Sequence, residues 1–230
     1  MKYRLYIPNI DPNIDQILDA NQFHHLVKVL RIKHLELIEI LNGKGHVFEG
    51  VFHLESKKTA VLKNIKCIKT HAMPEKKLTL IIGITKLSTL DTILQKATEM
   101  GVWTIQPVFS EFTPIKKTLL YSENKQEHWQ KILQSSLIQS ANPWLPELKD
   151  PINITDIAPG SDLMVLHPYA DHVSMNELEN IQRIAIGPEG GWSENEILFY
   201  KKCGSKIISF PTPIMRAETC VIAGLAILHL

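Results

Sequence analysis

The residues GPEGG at positions 187 to 191 lie between an apolar run, RIAI, and a helix-start signal, SENE. Glycines in a strand-to-helix turn permit positive φ and let a ligand approach the bare backbone. Ser193 and Glu196 have the spacing of a capping box, which would start a helix two residues after the last glycine. The stretch is therefore either a cradle of N–H donors or a tight turn that needs glycine for its geometry alone. Two further loops favour the cradle. HPYA follows the apolar DLMVL, and PTPIMRAETC follows KIISF, with Pro211 and Pro213 forbidding regular helix until past Met215. In open α/β sheets ligands settle outside the carboxyl ends of strands, so three turns at one edge predict a pocket. Neither a Walker A motif nor a GxGxxG occurs, which argues against an ordinary nucleotide-phosphate site. A ligand with an adenine and a ribose but no polyphosphate suits such a backbone-lined pocket better.

The elements that must position these turns are legible as alternating strands and helices from Leu78 onward. LTLIIGIT reads as a buried strand, and Leu90, Ile93, Leu94 and Ala97 share one helix face before Gly101. VWTIQPVF, DLMVLH, RIAIG and KIISF read as strands; EHWQKILQSSLIQSA, SENEILFYKKCG and AETCVIAGLAILHL read as helices. Such alternation implies a mostly parallel sheet covered on both faces. The first 70 residues differ. YRLYI, LELIEIL, HVFEGVFHL and TAVLKNIKCI are β-type segments broken by the hairpin signal NGKG, and in FHHLVKVLR the residues Phe23, Leu26, Val27 and Leu30 fall on one helical face. This predicts a small β-barrel with one helix over residues 1–70, a linker at 71–77, and an α/β domain over 78–230.

Composition narrows the class. An apolar content of 44% in 230 residues is enough for packed cores. No apolar run approaches a membrane span and the first residues have no signal-peptide character, so the reading is cytoplasmic. Cys67, Cys203 and Cys220 are too scattered for a disulfide framework or a zinc site, and His24 and His25 lack a partner at ligand spacing, so no metal is expected. Residues 1–77 carry 13 Lys or Arg against 8 Asp or Glu, whereas residues 78–230 carry 12 against 16. A basic first half is compatible with a nucleic-acid footprint and equally with a solvated surface.

IGPEGGWSENEI and RAETCVIAGLAIL, together with QKATEMGVWTIQPVFSE and HHLVKVLR, resemble the bacterial 16S ribosomal RNA (uracil-N3)-methyltransferase family of the SPOUT class. The resemblance runs along essentially the whole chain. It implies a PUA-like N-terminal β-barrel that binds RNA, then a SPOUT-type α/β-knot domain, a mostly parallel sheet ending in a trefoil knot. It also implies S-adenosyl-L-methionine as cofactor, the 16S rRNA of the small ribosomal subunit as partner, and a homodimer. Carried over by position, the donor-binding residues are Leu166, His167 and Pro168; Gly187, Glu189, Gly190 and Gly191; Phe210, Pro211, Ile214 and Met215; and Thr219. Arg216, Glu218 and Thr219 match the closing Arg-x-Glu-Thr motif. The chain departs from the pattern at Ala217, at Pro211–Pro213, and at QSAN, residues 139 to 142, where many members have a Gly-Arg pair.

The implied reaction has two requirements. Attack by uracil N3 on a sulfonium methyl needs alignment of nitrogen, methyl and sulfur, and it needs stabilisation of the anion spread over N3 and its flanking carbonyls. Arg216, at a helix entrance beside the donor pocket, is the predicted main catalytic side chain, against the alternative of a surface ion pair. Glu218 either orients Arg216 or the substrate, or complements the helix dipole. Glu189 either contacts donor or base, or braces its loop. N3 lies on the pairing edge, so the base must be unpaired or flipped. Arg4, Lys28, Arg31 and Lys33 are candidates for RNA phosphate contact. The final helix is apolar almost all round and is expected in the core, in a dimer interface, or in both. A fold-sharing enzyme for another RNA base, and a non-catalytic RNA-binding protein, remain alternatives.

Overall fold

The computed structural model describes residues 3–115, 123–172 and 178–229. By contacts, the chain forms two units: Met1–Pro74 with Leu137–Leu145, and Glu75–Ser136 with Pro146–Leu230. No described helix is long and apolar enough to cross a membrane.

The first unit contains a five-stranded sheet of β1 (Tyr3–Tyr6), β2 (Gln16–Ile17), β3 (Leu37–Leu41), β4 (His46–Leu54) and β5 (Ala60–Thr70), ordered β1-β3-β4-β5-β2. Period-two alternation buries Phe48 and Phe52 of β4 with Ile38 and Ile40 of β3. The expected helix begins as α1 (Ala20–Phe23), capped by Asp19, whose carboxylate accepts from the amides of Asn21 and Gln22 at 2.8 Å. It continues over His24–Val29 as a π-helix rather than an α-helix; the Leu30 amide reaches back five residues to the His25 carbonyl at 2.9 Å. Phe23 and Leu26 are still buried in the core, with Val27 and Leu30 packed against it. The apolar spacing reports which face is buried, and it cannot tell a four-residue from a five-residue hydrogen-bond step.

A piece distant in sequence completes this unit. Leu137, Ile138 and Leu145 pack on Leu41 and Val47, and the Trp144 ring lies where any side chain at Gly45 would have to sit, 2.4 Å from an ideal Cβ. Within this piece the departure QSAN has a visible cost. Helix α3 (Glu123–Ser140) ends at Ala141, which adopts φ of 56°. An L-residue with a Cβ disfavours this left-handed cap, which glycine takes freely. Ala141→Gly is therefore expected to stabilise the protein by about 0.5–1 kcal/mol in urea melts. A loss of stability would show that the backbone there is not strained.

The second unit is built on a sheet in the order β12-β10-β11-β6-β7-β8, with β9 also pairing β7. Its strands are β6 (Thr79–Gly83), β7 (Thr104–Phe109), β8 (Glu147–Leu148), β9 (Ile152–Asn153), β10 (Leu163–Leu166), β11 (Arg183–Ile186) and β12 (Lys206–Ile208). Every pairing is parallel. Leu80 to Gly83, Leu163 to Val165 and Ile184 to Ile186 are buried, as expected for strands covered on both faces. The helices are α2 (Leu87–Glu99), most of α3, α4 (Glu194–Lys202) and α5 (Ala217–Leu228). Strands β8 and β9 are two residues each and carry no periodic signal, so sequence patterning passes over them.

The final helix divides its apolar surface. Val221, Gly224, Leu225 and Leu228 are buried, whereas Ile222 is 40% exposed and Ala226 is exposed. Gly224 lets α5 come close to the sheet: an ideal Cβ there would lie 2.3 Å from Ile184 Cδ1.

Candidate active site

Strands β12, β10 and β11 are adjacent and parallel, so the turns that follow them must emerge side by side. They enclose a cavity of about 770 Å³, within the usual range for small-molecule sites. The turn after β10 contributes Leu166, His167, Pro168 and Tyr169. That after β11 contributes Gly187 to Trp192. The segment after β12 contributes Ser209, Phe210, and Thr212 to Glu218. Of the residues expected to bind the donor, Pro211 and Thr219 do not line the cavity and the others do. Both point elsewhere for a local reason: Pro211 is exposed in the turn closed by the Thr212 amide on the Phe210 carbonyl, and Thr219 lies on the exposed side of α5.

The glycine turn is held from several sides. The Gly191 amide donates to the Pro188 carbonyl at 2.8 Å, and Gly191 has φ of 75°, the conformation anticipated for this turn. Ser193 and Glu196 form the expected capping box: the Ser193 amide donates to Glu196 Oε2 at 2.8 Å, and the Glu196 amide donates to Ser193 Oγ. Glu196 is 6% exposed, and its second oxygen accepts from the Glu111 amide at 2.8 Å. One buried carboxylate thus ties the start of α4 to the loop after β7. An ionised carboxylate that accepts several backbone N–H bonds satisfies its burial requirement.

The other two turns are stitched together. The His167 amide donates to the Ile208 carbonyl at 2.9 Å, and the Ser209 amide donates to the Asp171 carbonyl at 3.0 Å. Ser209 Oγ donates to the Ala170 carbonyl at 2.7 Å and meets His172 Nδ1 at 2.9 Å. Burial, and then the charge of Lys201, push the His167 pKa below its ordinary value, so its ring is neutral at pH 7.

Arg216 lies at the N-cap of α5, where the expected helix entrance is found, and it is exposed on the cavity wall. Its guanidinium has no hydrogen bond or ion pair among the described residues, so the alternative of a surface ion pair is not realised there. Glu218 lines the same wall in the first turn of α5. Glu189 also lines the cavity, and its Oε1 accepts from the Lys86 amide and from Thr89 Oγ1, each at 3.3 Å. These bonds supply the N-terminus of α2 with the cap that Lys86 itself does not provide. Bracing is therefore one role of Glu189.

Sequence reasoning passed over Lys86 and Thr89, which also line the cavity. They follow β6, the neighbour of β11, so the carboxyl-edge rule applied to LTLIIGIT would have found them. It also passed over Trp192, whose buried Nε1 has no hydrogen-bond partner among the described residues.

The residues fit a small cationic donor. Leu166, Ile186, Ile208 and Met215 supply apolar wall, Glu189 and Glu218 supply carboxylates, and Gly187, Gly190 and Gly191 line the cavity without side chains, so a ligand can approach their backbone.

Of the four residues considered for RNA contact, Arg4 pairs through Nε with Glu39 Oε1 at 2.6 Å, across the β1–β3 ladder. That guanidinium is already engaged. Lys28, Arg31 and Lys33 are exposed on the π-helix and the loop after it. No cluster of His, Cys, Asp and Glu able to hold a metal is present among the described residues.

The RNA methyltransferase domain, as a family, matches residues 72–229, and an RNA methyltransferase PUA domain matches residues 18–63. The chain belongs to the RNA methyltransferase family. Among the relatives of this RNA methyltransferase is the ribosomal RNA small subunit methyltransferase E of Buchnera aphidicola subsp. Schizaphis graminum, 31% identical over 94% of the chain and 92% of the relative. The protein of that name from Aquifex aeolicus is 29% identical, over 88% and 90%. The ribosomal RNA small subunit methyltransferase E of Neisseria gonorrhoeae, solved bound to S-adenosyl methionine, superposes with a TM-score of 0.85 at 26% identity, covering 98% of this chain and 96% of that one. The fold of this family member is the SPOUT-type, mostly parallel α/β architecture preceded by a PUA-like domain.

Proposed function

We propose that this RNA methyltransferase transfers a methyl group from S-adenosyl-L-methionine to N3 of a uridine in the 16S RNA of the small ribosomal subunit, as a homodimer in the cytoplasm. The observation that carries the reading is the guanidinium of Arg216, unpaired among the described residues, on the wall of the cavity that the three turns enclose. Relatives that bear the name of a ribosomal RNA small subunit methyltransferase, one of them solved with the donor bound, support the substrate and the cofactor.

The donor supplies an electrophilic methyl on a sulfonium. The chain supplies everything else. The glycine turn at Gly187, Gly190 and Gly191, with the walls formed by Leu166, His167, Pro168, Phe210, Ile214 and Met215, holds and orients it. A neutral His167 adds no repulsion to a cationic donor. Arg216 offers donors to the oxygen that gathers charge as N3 loses its proton; Glu218, in the first turn of α5, lines the same wall and favours a cationic donor. Lys28, Arg31 and Lys33 of the first unit give uniform attraction to phosphate. The exposed apolar side of α5, around Ile222 and Ala226, is the face assigned to the second copy.

Mass spectrometry of nucleosides from small subunits of cells lacking the gene tests the assignment. N3-methyluridine should be absent, and should return when purified protein and donor are added to those subunits. If the modified nucleoside persists without the gene, the substrate assignment falls.

A further inference from the structure

Trp192, Tyr200 and Trp129 of the second unit are buried. Tyr169 departs from this pattern. It is 81% exposed, yet it lines the same cavity as Arg216. Ile214, on the segment after the adjacent β12, lines the same cavity and is also bare, 72% exposed. The ring of Tyr169 is fixed without being covered. Pro168 precedes it, the Ala170 amide closes the turn on the His167 carbonyl at 3.2 Å, and the Tyr169 amide donates to His167 Nδ1 at 3.4 Å. The two rings meet edge to face, with centroids 5.8 Å apart and planes at 67°, a favourable arrangement that leaves the broad face of the tyrosine free.

We infer that Tyr169 is the stacking platform for the unpaired target base, holding its ring plane at the cavity mouth while the edge that carries the reacting nitrogen faces Arg216. The inference rests on the proposed RNA substrate and adds a base-binding residue to it. An aromatic face in water next to a reaction site has one inexpensive partner in single-stranded RNA, the flat surface of a base that has left its own stack. A pre-oriented ring loses little freedom when that base arrives. Stacking on the ring adds no attraction for phosphate and selects for an unpaired base.

The test uses purified full-length protein, S-adenosyl-L-methionine, and small ribosomal subunits isolated from cells lacking the gene. Tyr169→Ala is expected to lower kcat/KM for the subunits by about tenfold or more, with the loss mainly in KM, because base–aromatic stacking is lost. Tyr169→Phe, which keeps the ring, should stay within about threefold of the wild type. Donor affinity by calorimetry and molecular mass by light scattering should be unchanged in both variants. Equal kcat/KM for alanine and tyrosine overturns the inference. A weakened donor affinity in the alanine variant overturns it in favour of a donor-pocket role, and a change in mass overturns it in favour of a contact with a second copy. If wild-type protein fails on these subunits, the proposed function falls first; if only the variants behave otherwise than stated, the function stands and the stacking role is lost.

Discussion

Arg216→Ala is expected to slow methyl transfer by a factor of about 100 or more while leaving donor affinity within about threefold. The guanidinium has no protein partner among the described residues, so removing it leaves no buried charge stranded and no ion pair broken. Its loss should therefore be felt where new negative charge appears, in the transition state, and hardly at all in folding. Single-turnover kinetics with saturating donor separates this from a binding defect. Arg216→Lys should recover little, since a point charge cannot present the two parallel donors of a guanidinium. If alanine at this position turns over at the wild-type rate, Arg216 has no catalytic role and the cavity must stabilise the anion with its amides.

Gly83→Ala is expected to damage the same site from outside it. Gly83 ends β6 and does not touch the cavity. An ideal Cβ there would lie 2.5 Å from Pro188 Cδ and 2.7 Å from its backbone nitrogen. Neither atom is the tip of a flexible side chain, so one methyl must push the glycine turn outward as a body. A displacement of about an ångström in a positioning loop costs on the order of 10–100-fold in function, and the overpacking itself costs about 1–3 kcal/mol of stability. Calorimetry should find donor affinity at least tenfold weaker in a variant whose circular dichroism at 25 °C is unchanged. Normal affinity would mean that the turn does not depend on its support by β6.

The parts of this site that could be read from residues alone are those whose reason is local. The capping box of Ser193 and Glu196 is a short-range hydrogen-bond pattern, and it is present as spaced. The left-handed Gly191 answers to turn stereochemistry in the same way. The convergence of the three turns followed from strand–helix alternation plus the carboxyl-edge rule, because parallel neighbours necessarily open on the same side. What stayed hidden depends on partners distant in sequence. Nothing near Glu189 indicates that its carboxylate caps α2 through Lys86 and Thr89, nor does anything near Arg4 announce Glu39 across a parallel ladder. The π-hydrogen bonding of His24–Val29 was equally invisible, since it buries the same side chains an α-helix would.

The return of Leu137–Leu145 to the first unit bears on how the protein is made. Leu41, Val47 and Gly45 emerge from the ribosome long before the residues that cover them. At synthesis rates of about 5–20 residues per second, the roughly 70 residues between Pro74 and Leu145 keep that surface waiting for about 4–14 seconds. The N-terminal unit therefore cannot finish folding when its own strands are complete. It matures only after the Glu75–Ser136 part of the following unit has been translated, which makes a nascent chain stalled between these points a natural client for chaperones.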